Sequence, residues 1–151
     1  MSQAAVRAGL FTEGDSPALL GGRCGACARP HFPRSDTCPY CSAQEIEELE
    51  LSRSGELWAW TSVSAPPPGY RGEIPYGFGV VELPEGLRVV TRLTESDPSR
   101  LELGQRMHIV LVPITSEDDG EVLTYAFSSE DPSAVPSGRR ARGAARETGA
   151  P

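Results

Sequence analysis

Hydrophobic and polar positions follow a strand-like pattern from about residue 55 onward. Apolar residues there alternate with polar ones or form short runs rich in β-branched and aromatic side chains, and both patterns are typical of strands. Because no amphipathic helical pattern separates these strands, the sequence predicts a small closed or partly open barrel. Turn residues support two of the connections, at Pro84-Glu85-Gly86 and at Glu117-Asp118-Asp119-Gly120. The predicted strands lie at about residues 56–64, 76–83, 87–94, 106–114 and 121–128.

The chain on either side of this barrel has little that could form a core. Residues 45–52 predict one short, half-exposed strand. After about Glu130 the sequence consists mainly of Pro, Ser, Gly, Ala and Arg, and without apolar side chains to bury we expect a disordered tail. We therefore divide the chain into a lead, a cysteine-containing unit, a barrel and a tail, at residues 1–22, 23–52, 53–130 and 131–151.

Charge is distributed unevenly along the chain. All 14 basic residues are arginine, and with 21 acidic residues the net charge is −7. Residues 132–151 carry four arginines and one acid, whereas the preceding 131 residues carry ten arginines and twenty acids. A body this acidic repels a nucleic-acid backbone, because affinity for nucleic acid depends largely on neutralising phosphates. The arginine-rich tail is the part of the sequence that favours such binding.

Apolar segments are short throughout the chain. None approaches the roughly 20 apolar residues of a membrane helix, and the N-terminal residues lack the apolar run of a secretory signal. We therefore expect a cytoplasmic protein that has no membrane partner.

The four cysteines are the strongest chemical signal in the sequence. They form two C-x-x-C pairs with ten residues between them: Cys24, Cys27, Cys38 and Cys41. Each pair turns the backbone so that two thiolates point to one side, and two such knuckles together supply the tetrahedral shell of a zinc site. Four protein ligands leave no open position for water, so we predict a structural Zn²⁺ whose binding stabilises a segment without a core.

Three other interpretations of the cysteines have to be considered. Two disulfides match the even count, but the chain shows no export signal and the cytosol is reducing. Cys38-Pro39-Tyr40-Cys41 also matches the active-site sequence of glutaredoxins, and the residues after it could form the helix that redox activity needs. A redox role for Cys38 and Cys41 would leave the other C-x-x-C pair, Cys24 and Cys27, unexplained. An iron site of the rubredoxin type uses the same four ligands, and the spacing does not separate it from zinc.

Catalytic residues are not evident in the sequence. His31 lies between the knuckles, where we expect it to be exposed, and His108 lies on a predicted strand. No nucleophile–base pattern, metalloprotease motif or phosphate-binding glycine loop is present. We therefore predict that the chain has no catalytic residues of its own.

The order of these parts resembles the DUF35 family. The two knuckles are followed by Gly55-Glu-Leu-Trp-Ala-Trp-Thr61 and then by Ile74-Pro-Tyr-Gly-Phe-Gly-Val-Val-Glu-Leu-Pro-Glu-Gly-Leu-Arg88, and the resemblance covers about residues 19–129. It implies a mainly β fold, with an N-terminal rubredoxin-like zinc ribbon followed by a five-stranded OB-fold barrel. Residues 1–18 depart from the family, because they are shorter and richer in glycine than the helical segment that opens many members.

The resemblance also implies a function. DUF35 proteins are similar to small partners of thiolase-fold enzymes, including sterol-carrier-type thiolases and aldolases that shorten steroid side chains. In such assemblies, heterotetramers or larger, the thiolase-fold subunit supplies the catalytic residues. The DUF35 subunit docks on it and helps to bind or cover the acyl-CoA substrate. The alternative is a nucleic-acid-binding module, because zinc ribbons and OB-folds both serve that role.

The connection between the first two barrel strands is our candidate for contact with the ligand. Three prolines stiffen it, and glycines on either side of Tyr70 and Arg71 allow these side chains to project. The arginine would meet a CoA phosphate, and the tyrosine would stack on adenine or pack against a partner. A rigid surface loop with no ligand is the competing interpretation.

Overall fold

The fold is almost entirely β, as expected. The computed structural model describes the backbone of residues 4–116 and 120–129. Its strands are β1 (Ala4–Ala5), β2 (Leu20–Cys24), β3 (Pro30–His31), β4 (Ile46–Glu50), β5 (Ser54–Val63), β6 (Tyr76–Glu82), β7 (Arg88–Leu93), β8 (Arg106–Ser116) and β9 (Gly120–Ser129). A short 3₁₀ helix, Pro98–Arg100, precedes β8. In this part of the chain no helix has the length and apolar character needed to cross a membrane. The predicted tail lies outside the described residues.

Strands β5 to β9 form a closed five-stranded barrel. Strand β5 is antiparallel to β6 and to β8, β6 is antiparallel to β7, and β8 is antiparallel to β9. A short parallel pairing of β7 with β9 closes the circle, with Arg92 opposite Ala126 and Leu93 opposite Phe127. All five strands predicted from the alternation are therefore confirmed. Their inward side chains make the core, which includes Leu57, Val81, Val89, Leu93, Met107, Ile109 and Phe127.

A β-bulge in β5 separates the two tryptophans. The register passes from Leu57 opposite Val81 to Ala59 opposite Val80, so that Trp58 is an additional residue on its strand. An additional residue reverses which side chains face inward from that point on. Trp60 consequently packs against the barrel core, while Trp58 stays on the outer surface with half of its side chain exposed (50%).

Strands β2, β3 and β4 form a separate three-stranded sheet that carries the cysteines. Strand β2 lies in the middle and is antiparallel to both neighbours. His31 on β3 is buried, so the expectation that it would be exposed is wrong. The reason is Gly22 on β2, where a Cβ would lie 2.7 Å from the imidazole ring. The ring therefore packs over a position that has no side chain, and its Nε2 accepts a hydrogen bond from the Ser35 N–H (3.3 Å).

The residues before β2 and those just after β4 attach this small sheet to the barrel. Phe11, Leu19 and Leu51 belong to the same core cluster as the barrel side chains. After β4, the Ser52 N–H and hydroxyl both donate to one oxygen of Glu85 in the β6–β7 turn, at 2.7 and 2.8 Å. The two sheets therefore share buried side chains and a hydrogen-bonded connection.

Candidate metal centre

The two cysteine knuckles have the same backbone geometry. The carbonyl of Cys24 accepts a hydrogen bond from the Ala28 N–H at 2.9 Å, and the carbonyl of Cys38 accepts one from the Ser42 N–H at 3.0 Å. Ala28 and Ser42 both adopt the left-handed conformation, with φ of 63° and 65°. This turn reverses the direction of the chain after Cys27 and again after Cys41. The two sulfurs of each pair therefore point to the same side. Sequence reasoning identified the pairs but not the two residues that complete their turns.

The structure brings all four predicted cysteines together. Their Sγ atoms lie within 4.8 Å of one another, and the Cys24–Cys41 and Cys27–Cys38 pairs are both 3.6 Å apart. A tetrahedron with Zn–S bonds of about 2.3 Å has sulfurs about 3.8 Å apart, so the four thiolates fit a Zn²⁺ ion. Backbone N–H groups also point at the sulfurs, from Ala26 to Cys24 (3.3 Å) and from Tyr40 to Cys38 (3.4 Å).

The ionisation of the knuckles is consistent with a cation site. Burial raises the pKa of the Cys38 thiol, but N–H groups of Cys41 and Tyr40 outweigh it, and its pKa is about 6. For Cys41 the Ala43 N–H lowers the pKa, yet proton sharing with Cys24 and partial burial outweigh that effect and raise its pKa to about 12. Four sulfurs this close cannot all carry negative charge without a cation among them. A bound metal ion would remove this repulsion.

Two of the three alternative interpretations of the cysteines, disulfides and redox activity, find less support. All four are free thiols, and sulfurs 3.6 Å apart are well beyond the length of a disulfide bond. The residues after Cys41 form no helix before β4, so Cys38 does not stand at the helix N-terminus that is typical of a redox C-x-x-C pair. Its lowered pKa comes instead from the knuckle's own N–H groups. The geometry suits iron and zinc equally.

The candidate ligand loop is held against the barrel by Tyr70. Its ring packs on Tyr76 with centroids 4.9 Å apart. Its hydroxyl donates to the Glu73 carbonyl (2.9 Å) and accepts from Arg92 (3.2 Å). A Cβ on Gly72 would collide with this hydroxyl, so the loop needs glycine there. Tyr70 is therefore half-buried, whereas Arg71 is exposed. Sequence reasoning missed Arg92 and Tyr76, because their contact with the loop depends on how β6 and β7 pair.

Two families of known proteins match the parts of the chain that form the two sheets. Residues 11–47 match the rubredoxin-like zinc ribbon domain of ChsH2, and residues 48–112 match the C-terminal OB-fold domain of ChsH2. A DUF35 domain-containing scaffold protein of Methanocaldococcus jannaschii is 30% identical over 110 residues, which are 72% of this chain and 78% of that protein. The chain belongs to the DUF35 family. The small sheet is thus the zinc ribbon of a DUF35 protein, and the barrel is its OB-fold.

Two further relatives of this chain have names that connect them with enzymes. The benzoylsuccinyl-CoA thiolase subunit BbsA of Thauera aromatica is 31% identical over 116 residues, covering 76% of this chain and 78% of that subunit. Among solved structures, a chain described as Ltp2-ChsH2(DUF35) aldolase superposes with a TM-score of 0.59 and 29% identity. That match covers 74% of this chain and 84% of the other. The resemblance to DUF35 stated from the sequence is confirmed.

Proposed function

We propose that this DUF35 protein is a non-catalytic subunit that docks on a thiolase-fold enzyme, either a thiolase or a retro-aldolase. The observation that carries the proposal is the similarity to BbsA, a thiolase subunit, over 116 residues, a length greater than either domain alone. The similarity to a chain of the Ltp2-ChsH2(DUF35) aldolase supports it. The assembly would be a heterotetramer or larger, acting in steroid or lipid degradation.

In this proposal Zn²⁺ is a structural ion of the ribbon. Cys24, Cys27, Cys38 and Cys41 would hold it, and it would supply charge neutralisation and cross-linking rather than a reactive water, because four sulfurs complete its shell. Within the described residues this is the one group of three or more Cys, His, Asp or Glu side chains close enough to share a metal ion. The reacting groups would therefore come from the partner enzyme.

The loop of residues 65–72 is the part of the chain that we assign to the acyl-CoA substrate. Tyr70 holds the loop to the barrel through Tyr76 and Arg92, which limits the freedom of its tip. The exposed Arg71 next to this attachment would meet a CoA phosphate with a charge-assisted hydrogen bond. Tyr70 would then act by positioning the loop, rather than by stacking on adenine.

The experiment is a pull-down of the tagged full-length protein from an extract of its native cell, with the co-purifying chains identified and counted by mass. We expect a thiolase-fold chain in a fixed ratio to the bait. Recovery of the protein alone would contradict the proposal. Recovery with nucleic acid would favour the alternative of a nucleic-acid-binding module, which salt-sensitive binding to single-stranded oligonucleotides would then confirm.

The loop is tested separately in the reconstituted complex. Arg71→Ala should raise the KM for acyl-CoA while leaving the affinity between the subunits unchanged. Tyr70→Phe, which keeps the ring but loses the hydrogen bonds of its hydroxyl, should have a smaller effect in the same direction. Unchanged KM values for both variants would remove the loop from the proposal and leave the docking role intact.

A further inference from the structure

Arg92 differs in its burial from the other arginines that the structure describes. It lies on the outer face of β7, opposite Phe78 of β6 and Ala126 of β9. Of the ten arginines in the described part of the chain, nine are exposed and Arg92 alone is partly buried. Taking a guanidinium partly out of water has a free-energy cost that a partner of opposite charge normally offsets. We therefore expect Arg92 to have an anionic partner.

Two tyrosine rings hold the guanidinium of Arg92 in place. Its Cζ lies 5.1 Å from the ring centre of Tyr76 and 5.8 Å from that of Tyr70. Tyr76 is two residues from Phe78 along β6, so it is a diagonal neighbour of Arg92 across the strand pair. Arg92 Nη2 also donates a hydrogen bond to the Tyr70 hydroxyl at 3.2 Å. A guanidinium fixed in this way loses little further conformational entropy when it binds a ligand.

None of these contacts neutralises the charge of Arg92. Its hydrogen-bond partner is a phenol hydroxyl, and both rings are neutral. Four other arginines pair with a glutamate, namely Arg34, Arg53, Arg88 and Arg100. No carboxylate of residues 4–116 and 120–129 forms an ion pair with Arg92, although the first 131 residues carry twenty acids. Because a guanidinium has five N–H donors, Arg92 retains donors for an anion from outside this part of the chain.

A phosphate group suits the chemistry of this position. Guanidinium groups bind phosphate through two parallel N–H···O bonds, which are about twice as strong as bonds between neutral groups. The Tyr70 hydroxyl already donates its one hydrogen to the Glu73 carbonyl at 2.9 Å, so it has none to give to a phosphate. Tyr70 therefore positions Arg92, and Arg92 supplies the donors.

We propose that Arg92 binds a phosphate group at the nucleotide end of CoA, with Tyr70 and Tyr76 as positioning residues. The inference rests on the proposed function, since it adds a residue of the barrel to the loop that we assign to the acyl-CoA substrate. The phosphates of CoA lie in its nucleotide part, far from the acyl group. The acyl group is then left to the partner enzyme.

The test measures the Kd of CoA for the complex of the full-length protein with its thiolase-fold partner. Arg92→Gln should raise this Kd about tenfold, because hydrogen bonds between charged groups are lost. Arg92→Lys keeps the charge but loses the planar fork, so it should raise the Kd less. Arg88→Gln is the matched control. It is the same substitution on the same face of β7, at an exposed arginine that already pairs with Glu82 (3.0 Å), and the Kd should stay within about twofold of the original.

Two further probes separate contact with phosphate from a purely structural role. Pantetheine has no phosphate, so Arg92→Gln should leave its Kd unchanged. Dephospho-CoA lacks the 3′-phosphate. An unchanged Kd for dephospho-CoA identifies the 3′-phosphate as the group that Arg92 binds, and a raised Kd identifies the diphosphate. Tyr70→Phe removes the hydrogen bond from Arg92 but leaves the guanidinium, so it should raise the Kd of CoA less than Arg92→Gln does.

The outcomes separate this inference from the proposed function. If the unaltered complex binds CoA and the Arg92→Gln complex binds it equally well, the inference is wrong and the proposed function stands. Equal losses for CoA and pantetheine would mean that Arg92 only supports the loop, which also overturns the inference. If the complex forms but binds no CoA, the acyl-CoA part of the proposed function fails as well. If Arg92→Gln weakens binding to a single-stranded oligonucleotide but not to CoA, the phosphate belongs to nucleic acid and the inference is wrong.

Discussion

The zinc ribbon and the OB-fold barrel are each stabilised by a different kind of interaction. The barrel buries a continuous set of apolar side chains between five strands. The ribbon has strands of five, two and five residues, and its fully buried side chains include two of the cysteines. Sheets this small are marginal in water without a further constraint. One chain thus combines a domain stabilised by apolar burial with a domain that offers four cysteine sulfurs to a metal ion.

Removal of the metal should have the largest effect, and only on the ribbon. Cys38→Ser, or treatment with a chelator, should unfold residues of the ribbon, because binding of structural zinc contributes about 10–16 kcal/mol in comparable small domains. Backbone amide signals of β2 and β4 should shift to the narrow range of an unfolded chain, while those of β5, β6 and β8 should keep their native positions. Thr37→Ser, an exposed change beside the same knuckle, should leave both sets of signals in place. Loss of the barrel signals together with those of the ribbon would mean that the two domains are one folding unit.

A core substitution in the barrel should have the next largest effect. Phe127 is completely buried (0% exposed), so Phe127→Ala should lower the free energy of unfolding by about 3–5 kcal/mol. Phe78 is 38% exposed on the outer surface, and Phe78→Ala should cost only about 1 kcal/mol. Urea unfolding followed by tryptophan fluorescence measures both values. Equal losses for the two phenylalanines would contradict the assignment of inner and outer faces.

The connection between the two domains should contribute less. Glu85→Ala removes the acceptor of both hydrogen bonds from Ser52 and should lower the stability by about 1–3 kcal/mol. Ser52→Ala keeps the backbone bond and should cost about 1 kcal/mol. A double-mutant cycle measured by urea unfolding should show coupling between the two positions. Additive losses would mean that this contact does not join the ribbon to the barrel.

The smallest effect should come from the backbone of the first knuckle. Ala28 has a positive φ of 63°, so Ala28→Gly should relieve backbone strain. The free energy of unfolding of the ribbon should rise by less than about 1 kcal/mol, and the midpoint of its thermal unfolding should rise slightly. Ala26→Gly lies in the same knuckle without a positive φ, and it should leave the midpoint unchanged or lower it. If both changes have the same effect, strain at Ala28 is not significant.

The strands and the metal ligands could be predicted from the sequence because both depend on short spacings. Alternation over six to eleven residues defines a strand, and two C-x-x-C pairs define four ligands. The bulge at Trp58 could not be predicted, since it depends on the register that β5 adopts with β6. The burial of His31 depends on Gly22, on a neighbouring strand. The hydrogen bond from Arg92 to Tyr70 likewise joins residues brought together only by the folded barrel.

The order of the two domains along the chain has a consequence for synthesis on the ribosome. All four cysteines precede Ser54, where the first barrel strand begins, and the barrel is complete only at Ser129. At bacterial and eukaryotic rates of elongation this interval lasts roughly 4–15 s. The ribbon can therefore acquire its metal ion while the barrel is still being made. Closure of the barrel has to wait for β9, because the parallel pairing of β9 with β7 completes the circle of strands.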